Sequence, residues 1–226
     1  MMSKKLSLKT PTSLIVSECF EEYINKCSIK NLSPETIKLY RNQFNIFYRT
    51  LDDKDKLIED ITIKDVERFI LTERKNETCN DITINSYLRG VRAFLYYAME
   101  ENLLQSFKIT IPKVTKEIKE TYLDSELAVL LKKTNLRKVS FTEYKMWVFS
   151  NYLLATGNRL SSALSIQTKD LDFENRLIQV NKTKNRKAQI IPMSDTLYSI
   201  LKEYLKYRKG NDDDYLFCNT RGGRGV

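Results

Sequence analysis

The residues best suited to chemistry lie in the second half of the chain, at a helix junction and in a basic turn. Arg159 follows the helix-breaking Gly157 by two residues and stands at the start of a second predicted apolar helix. An arginine at such a junction suits bidentate contact with a phosphate, although it could instead cap the preceding helix. Four further cations stand between two apolar β-type runs: Lys182, Lys184, Arg186 and Lys187. Both features favour contact with phosphate groups.

The composition excludes several kinds of active site. The 226 residues contain no histidine, which removes Ser-His-Asp and Cys-His triads, His-ligated zinc or haem, and histidine as a general acid or base. The four cysteines form no Cys-x-x-Cys pair, so we predict reduced thiols without a zinc or dithiol redox site. We expect the protein to use no metal and no cofactor.

The chain also lacks the signals of membrane proteins and of secreted proteins. No apolar run approaches the ~20 residues that span a bilayer. The first six residues, Met-Met-Ser-Lys-Lys-Leu, carry no apolar core of a secretory signal. We therefore expect a cytoplasmic protein with no membrane partner.

The positive charge is concentrated in the second half. The chain has 38 Lys and Arg against 29 Asp and Glu, a formal charge of +9. Up to Pro112 the counts are 17 and 16, whereas from Lys113 onward they are 21 and 13. Such an asymmetry fits a surface that faces a polyanion, and an ordinary Lys-rich solvated surface fits it equally well.

The first half predicts four short amphipathic helices. Helix-start residues are followed by apolar residues at helical spacing. The four starts are Thr12-Ser13, Ser33-Pro34-Glu35, Thr62 to Asp65, and Thr83. The polar stretches 51–60 and 73–81 serve as connections. Helices of this kind predict a bundle.

The second half mixes helices and strands. Between Lys108 and Tyr122 a proline and alternating charge replace the helical pattern, so we predict a linker over residues 108–121 between domains at 12–107 and 122–226. The later elements are predicted as a helix over 124–131, an apolar helix over 141–154, strands over 176–180 and 188–193, and a helix that Ser194 begins. The expected fold class is mainly α with a small antiparallel β-sheet.

The order of these motifs resembles the tyrosine recombinases, the phage-integrase family. The matching features are the Thr-Gly-Asn-Arg junction at 156–159, the turn at 169–173, and the hairpin that closes on Ile-Ile-Pro-Met at 190–193. The Ser-Pro-Glu-Thr opening at 33–36, with Tyr40 four residues later, resembles the family's core-binding domain. The resemblance covers roughly residues 12 to 220. It implies a four-helix SAM-like bundle followed by a truncated α+β catalytic domain.

The resemblance assigns catalytic roles to two residues. Arg159 matches the family's first arginine, which binds the non-bridging oxygens of the scissile phosphate. Lys184 matches the hairpin lysine, which resembles a general acid for the departing 5′-oxygen. It lies four residues after Val180 and eight before Pro192. Lys182 is the alternative, and both lysines could simply follow DNA phosphates.

Further DNA contacts are expected from both halves. In the family, two helices of the bundle face the major groove of double-stranded DNA. Four cations lie on the matching helices of this chain, off the apolar stripes: Lys38, Arg41, Arg89 and Arg92. A solvated helix face is the alternative for each of them. In the hairpin, DNA contacts are expected from Lys182, Arg186 and Lys187.

Several departures from the family pattern stand out. Ser162 occupies the position of an acid that usually orients the first arginine, so a hydrogen bond could survive but a charge pair could not. Without histidine, the His-x-x-Arg motif of the second arginine is absent, and the family's nucleophilic tyrosine lies beyond the matched region. No second arginine precedes the tyrosines near the end of the chain, so none is expected to be the nucleophile: Tyr198, Tyr204, Tyr207 and Tyr215. We place Arg221 and Arg224 in a loop.

The activity implied is site-specific DNA strand exchange, such as integration or excision of a mobile element. We expect this chain to bind duplex DNA but not to cleave it alone, and to meet full-length recombinase protomers on DNA. It is expected to be a monomer free in solution and nucleoid-associated when bound. One alternative is a non-catalytic DNA-binding regulator that occupies recombination sites. Another is a helical protein-interaction module without DNA affinity at moderate salt.

Overall fold

A computed structural model of the chain describes residues 14–76, 79–114, 120–133, 135, 138–181, 187–219 and 223–225. It divides into two compact units, Met1–Ile118 and Lys119–Val226. The expected fold class is confirmed, because helices dominate and the described strands form a three-stranded antiparallel sheet. None of the described helices combines the length and the apolar composition needed to cross a bilayer.

The first unit is a helical bundle. Its helices are α1 (Val16–Ile29), α2 (Pro34–Arg49), α3 (Ile63–Arg74) and α4 (Asp81–Glu100). The Ser33 hydroxyl accepts a hydrogen bond from the Thr36 amide, so the predicted start of α2 is confirmed. Helix α4 begins at Asp81 rather than at Thr83, because Asn80 caps it by accepting a hydrogen bond from the Thr83 amide.

A glycine sets the distance between α2 and α4. A Cβ atom added to Gly90 on α4 would lie 1.9 Å from Oε1 of Gln43 on α2. The buried Gln43 side chain uses that space and donates from Nε2 to the Ser86 carbonyl at 2.8 Å. This contact fixes the two helices that carry the predicted DNA-binding residues of the bundle.

A buried carboxylate holds the start of α3. Asp65 is 2% exposed and accepts hydrogen bonds from Lys56, from Arg68 and from the amide and hydroxyl of Thr62. Burial raises the pKa of the Asp65 carboxyl, but the hydrogen bonds from Lys56 and Thr62 outweigh burial and leave the pKa below its ordinary value. Arg68 also pairs with Asp52. The network ties the connection after α2 to α3.

The chain that leaves α4 stays against the bundle. Ile109 is buried, and its amide donates to the Tyr96 hydroxyl at 3.2 Å. Asn85 donates from Nδ2 to the Pro112 carbonyl at 2.7 Å. The first residues of the segment predicted as a linker therefore pack on the first unit.

Two cysteine thiols lie inside the bundle. Cys19 and Cys27 are buried on α1, and burial raises the pKa of Cys19 to about 12. Cys79 and Cys218 are half-buried. All four are free thiols.

The described part of the second unit contains four α-helices and the small sheet. Its elements are α5 (Asp124–Leu130), α6 (Phe141–Thr156), α7 (Leu160–Ala163), β1 (Leu171–Asp172), β2 (Leu177–Val180), β3 (Gln189–Pro192) and α8 (Asp195–Arg208). The strand order is β1-β2-β3, and Val180 pairs with Gln189 at the base of the hairpin. Buried residues of α6, β2 and α8 form the core, among them Tyr152, Ile178 and Leu201.

Candidate functional site

Arg159 stands at the turn between α6 and α7. Helix α6 ends at Gly157 in the left-handed conformation, with φ 63° and ψ 15°, which glycine adopts without strain. Arg159 is the N-cap of α7, and its carbonyl accepts hydrogen bonds from the amides of Ser162 and Ala163. The second helix predicted here is a single turn of four residues. The Arg159 side chain is exposed at this junction.

A polar cleft of about 530 Å³ lies beside Arg159. Residues 156–159 and Ser162 line one side, and Gln189, Ile190 and Ile191 of β3 line the other. The cleft therefore joins the helix junction to the strand that follows the basic hairpin. These two features lie about thirty residues apart in the sequence.

The Arg159 guanidinium has no internal counter-ion in the described part of the chain. No carboxylate or carbonyl there accepts a hydrogen bond from it. Ser162 is 4% exposed, and its hydroxyl forms no described hydrogen bond with Arg159. A cation that faces a polar cleft without an internal partner is available to an anion from outside the protein.

The loop before Arg159 is tied to the last turns of α6. Asn158 donates from Nδ2 to the Tyr152 hydroxyl at 2.8 Å, and the Asn158 amide donates to Thr156 Oγ1 at 3.3 Å. Tyr152 is fully buried, and burial raises its pKa to about 12. The Tyr152 hydroxyl is therefore protonated at neutral pH. No pattern in the sequence indicates this pairing.

Asp170 has a structural role in the turn before the sheet. Its carboxyl accepts hydrogen bonds from the Gln167 amide at 2.8 Å and from Asn181 Nδ2 at 3.1 Å. It thus joins the turn to the residue that follows β2. Among the described residues, no group of three or more Cys, Asp and Glu side chains could hold a metal ion.

The basic hairpin is described only at its base. Lys182, Lys184 and Arg186 lie outside the described residues, so their roles stay predictions. Lys187 is exposed, two residues before β3. The cleft that Arg159 shares with β3 is what connects this hairpin to the site.

The four bundle cations differ in their surroundings. Lys38 on α2 and Arg89 on α4 are exposed, and Arg92 lies over the Tyr96 ring at 6.0 Å. Arg41 instead donates to both carboxylate oxygens of Glu21 on α1. The hydrogen bond from Arg41 lowers the pKa of Glu21. Arg41 therefore has an internal partner that helical spacing does not reveal.

Two of the tyrosines near the end of the chain make their contacts away from the cleft of Arg159. Tyr204 is fully buried and donates its hydroxyl to the Leu216 carbonyl at 3.2 Å. Arg176 and Lys202 lie against the Tyr198 ring at 4.9 and 5.2 Å, and the Tyr198 hydroxyl accepts from Lys202. Neither tyrosine lines the cleft of Arg159.

Arg224 is a residue of the site region that sequence reasoning placed simply in a loop. It donates from Nε to the Leu164 carbonyl at 3.1 Å and from Nη2 to the Ser161 carbonyl at 2.8 Å. These carbonyls belong to α7 and the residue that follows it, so Arg224 caps the helix that Arg159 begins. Arg221 lies outside the described residues.

Both units match known sequence families. Residues 20–102 match the N-terminal SAM-like domain of phage integrases, and residues 123–225 match the phage integrase family. A tyrosine recombinase XerA of Saccharolobus solfataricus is 31% identical over 220 residues, which cover 92% of this chain and 69% of the relative. A tyrosine recombinase XerC of Bacillus licheniformis is 28% identical over 205 residues, covering 86% and 66%.

Solved structures share the fold. The Tn1549 transposon integrase in complex with circular intermediate DNA aligns with a TM-score of 0.71 at 21% identity, over 95% of this chain and 74% of that one. A lambda integrase tetramer bound to a Holliday junction aligns with a TM-score of 0.69 at 14% identity, over 100% and 66%. The chain thus spans about two thirds to three quarters of the length of the two relatives and of the two solved chains. On the sequence matches to both units and to XerA, it belongs to the tyrosine recombinase family, the phage integrases.

Proposed function

We propose that this protein takes part in site-specific DNA recombination by binding duplex DNA and holding a phosphate against Arg159. One observation carries the proposal: Arg159 faces a polar cleft and has no internal partner in the described part of the chain, and β3 forms the opposite wall. A phosphodiester is the anion that family membership favours for this cleft. The Tn1549 and lambda integrases that share the fold are also bound to DNA in their structures.

Arg159 would bind the phosphate through its planar guanidinium. Two parallel N–H donors match two non-bridging oxygens, and the fixed positive charge stabilises the additional negative charge of a phosphorane-like transition state. The cleft has a volume of about 530 Å³ and a mainly polar lining, so it has room for the phosphate and the adjoining sugar. No proton leaves Arg159 in this role, because a guanidinium stays charged in proteins.

The proton donor we propose is Lys184 of the hairpin. When a tyrosine oxygen of a full-length recombinase protomer on the same DNA bonds to the phosphorus and the bond to the 5′-oxygen breaks, the Lys184 ammonium would donate one proton to that departing oxygen. Lys182 is the alternative donor. Either lysine belongs to the segment that ends in β3, so it would act from the wall opposite Arg159.

Further cations would grip the DNA backbone. In the bundle these are Lys38, Arg89 and Arg92, and Arg41 would join them only by leaving Glu21. In the hairpin they are Lys182, Arg186 and Lys187. Phosphate contacts of this kind fix the position of DNA without reading its sequence. The concentration of positive charge in the second half of the sequence agrees with this role for the hairpin cations.

We further propose that these 226 residues bind DNA but do not cleave it by themselves. They contain no histidine and so no His-x-x-Arg motif. The described Tyr198 and Tyr204 do not line the cleft. Strand exchange would then depend on full-length recombinase protomers on the same DNA. A regulator that occupies recombination sites is the second candidate, and the position of Tyr198 and Tyr204 away from the cleft favours it.

The cellular setting we propose follows from this partner. The protein would be cytoplasmic and would associate with the nucleoid through DNA. Two similar proteins support an origin in a mobile element. One is the Tn1549 transposon integrase, and the other is a probable integrase/recombinase of Acholeplasma phage L2, which is 27% identical to this chain. Free in solution, the chain is proposed to be a monomer.

The test of DNA binding is a fluorescence anisotropy titration against duplex DNA at several salt concentrations. We expect log affinity to fall linearly with log salt. Arg159→Ala should weaken binding about tenfold and reduce the magnitude of that slope by about 1, because one phosphate contact is lost. Lys206→Ala, which removes an exposed cation of α8, is the matched control. Absence of binding at low salt would overturn the proposal.

The test of cleavage uses a duplex with a nick next to the scissile phosphate of a relative's core site. A covalent protein–DNA adduct accumulates on such a substrate when a tyrosine attacks, since the short 5′ strand diffuses away. We expect no adduct from the 226 residues alone. An adduct resistant to denaturing gel electrophoresis would contradict the binding-only part of the proposal.

A further inference from the structure

The structure assigns a positioning role to the hydrogen bond between Asn158 and Tyr152: it holds the loop that presents Arg159 to the phosphate. The inference rests on the proposed function of Arg159. Family membership assigns nothing to either residue. Asn158 occupies the variable position of the Thr-Gly-x-Arg junction, and Tyr152 lies one turn before the end of α6.

The turn that Arg159 begins cannot hold its own orientation. Helix α7 has four residues, and its N-cap makes no side-chain hydrogen bond. A single helical turn is unfavourable in isolation, because several dihedral angles are fixed for very few hydrogen bonds. Ser162, three residues later, forms no described hydrogen bond with the Arg159 side chain. The orientation of Arg159 therefore depends on contacts made by its neighbours.

The residue before Arg159 is held twice by α6. The side chain of Asn158 donates to the Tyr152 hydroxyl at 2.8 Å, and its amide donates to Thr156 Oγ1 at 3.3 Å. Thr156 Oγ1 in turn donates to the Tyr152 carbonyl at 2.8 Å. Both hydrogen-bonded links lead to Tyr152. The position of the backbone between Gly157 and Arg159 is therefore fixed relative to this one residue of α6.

Tyr152 is a rigid point of attachment. It is fully buried, and its ring packs against Phe217 with the ring centres 5.5 Å apart. Its hydroxyl reaches the loop while the ring stays in the core of the second unit. A buried aromatic ring has few alternative rotamers, so the hydroxyl oxygen is a fixed acceptor for Asn158.

The far end of the turn is held independently. Arg224 donates to the carbonyls of Ser161 and Leu164, as described above. With Asn158 fixed before Arg159 and Arg224 fixing the end of α7, the backbone of the turn is defined on both sides. The Arg159 side chain then enters the complex with its backbone already ordered, which reduces the entropy lost on binding.

A pair of Tyr→Phe variants isolates this contact. Tyr152→Phe removes only the hydroxyl that accepts from Asn158. Tyr144→Phe is the matched control, because Tyr144 is fully buried in the same helix and its hydroxyl has no hydrogen-bond partner among the described residues. In anisotropy titrations, Tyr152→Phe should weaken DNA binding about two- to tenfold, the value of one hydrogen bond, and Tyr144→Phe should leave it unchanged.

The double variant shows whether the effect passes through Arg159. In an Arg159→Ala background, Tyr152→Phe should cause no further loss of affinity, because the side chain that it positions is gone. An equal loss in both backgrounds would overturn the proposal, since the hydroxyl would then act on stability or on another contact. Thermal unfolding of each variant verifies that the chain is folded at the titration temperature.

Hydrogen exchange tests the positioning without DNA. Amide exchange over residues 157–163 should accelerate about two- to tenfold in Tyr152→Phe and in Asn158→Leu, and should stay unchanged in Tyr144→Phe. Unchanged exchange in Tyr152→Phe overturns the inference whatever Arg159 does. If Arg159→Ala binds DNA like the unaltered chain while exchange does accelerate, the proposed function fails and the structural link stands.

Discussion

Asp65 in the first unit and Arg159 in the second are both charged, yet their surroundings are opposite. The Asp65 carboxylate is buried and accepts from Lys56, Arg68 and Thr62. The Arg159 guanidinium is exposed in a cleft and has no acceptor within the described part of the chain. A charge whose hydrogen bonds are filled internally stabilises the fold, whereas one left without partners is available to a ligand. A count of the charged residues in a unit therefore does not locate its functional site, because the count does not show which charges have internal partners.

The largest effect should come from breaking the Asp65 network. Asp65→Ala removes the partner of Lys56 and Arg68 and the acceptor of the Thr62 amide, and should cost about 3 kcal/mol of unfolding free energy. Urea titration followed by circular dichroism measures it. Asp60→Ala, at an exposed position, should change the free energy by less than about 0.5 kcal/mol. Equal midpoints for the two variants would show that the network does not hold the bundle.

The same carboxylate should make stability depend on pH. Its pKa in the folded chain is below the ordinary value of 3.8. Its contribution is therefore complete above about pH 5 and is lost as the pH falls through the lowered value. The difference in unfolding free energy between the unaltered chain and Asp65→Asn should be constant from about pH 5 to 7 and shrink below about pH 4. A difference that stays constant down to pH 2 would contradict the interpretation that the charged Asp65 carboxylate stabilises the fold through its internal hydrogen bonds.

At the cleft, the backbone of Gly157 should matter more for binding than for folding. A Cβ added there meets no atom within 4 Å, so Gly157→Ala costs only the left-handed conformation, about 1 kcal/mol. Any relaxation of that angle would move Arg159, two residues later, and lower DNA affinity. Gly157→Asn is the control, since asparagine tolerates positive φ better. Anisotropy and urea titration together separate the two effects, and an Ala variant that binds like the Asn variant would exclude this backbone effect.

The smallest effect should come from releasing Arg41. Glu21→Gln removes an exposed ion pair, which contributes less than about 1 kcal/mol to stability. The freed guanidinium would become available to a phosphate, so DNA affinity should rise about twofold at low salt and return to the original value at high salt. Glu18→Gln on the same helix is the control. No gain in affinity would indicate that this side of α1 and α2 lies away from DNA.

Features set by local chemistry were predictable from the sequence. Ser33 with Pro34 predicted the start of α2, and Gly157 predicted the end of α6, because caps and left-handed residues act within one helical turn. The runs at 176–180 and 188–193 appear as β2 and β3, each shorter by one or two residues. The junction that exposes Arg159 follows from the same local signals.

Features that depend on distant partners were not predictable. The two-residue strand β1 forms only because β2 lies beside it. The pairing of Arg41 with Glu21 joins two helices, and Arg224 reaches α7 from about sixty residues away. Helical periodicity identifies which residues lie off the apolar stripe. It does not identify the residue on another element with which each of them pairs. The contact between Asn158 and Tyr152, although local, requires Tyr152 to be buried with its hydroxyl turned to the loop.

The two buried thiols of α1 allow the opening of the helical bundle to be measured by thiol labelling. A thiol reacts as its thiolate, and burial holds the pKa of Cys19 at about 12. A water-soluble thiol reagent can therefore modify Cys19 only when the bundle opens, whereas the half-buried Cys218 reports the second unit. When opening and closing are faster than labelling, the Cys19 rate divided by the rate of the same reagent with a fully exposed thiol gives the opening equilibrium of the first unit. Labelling with and without DNA would then show whether binding keeps the bundle closed.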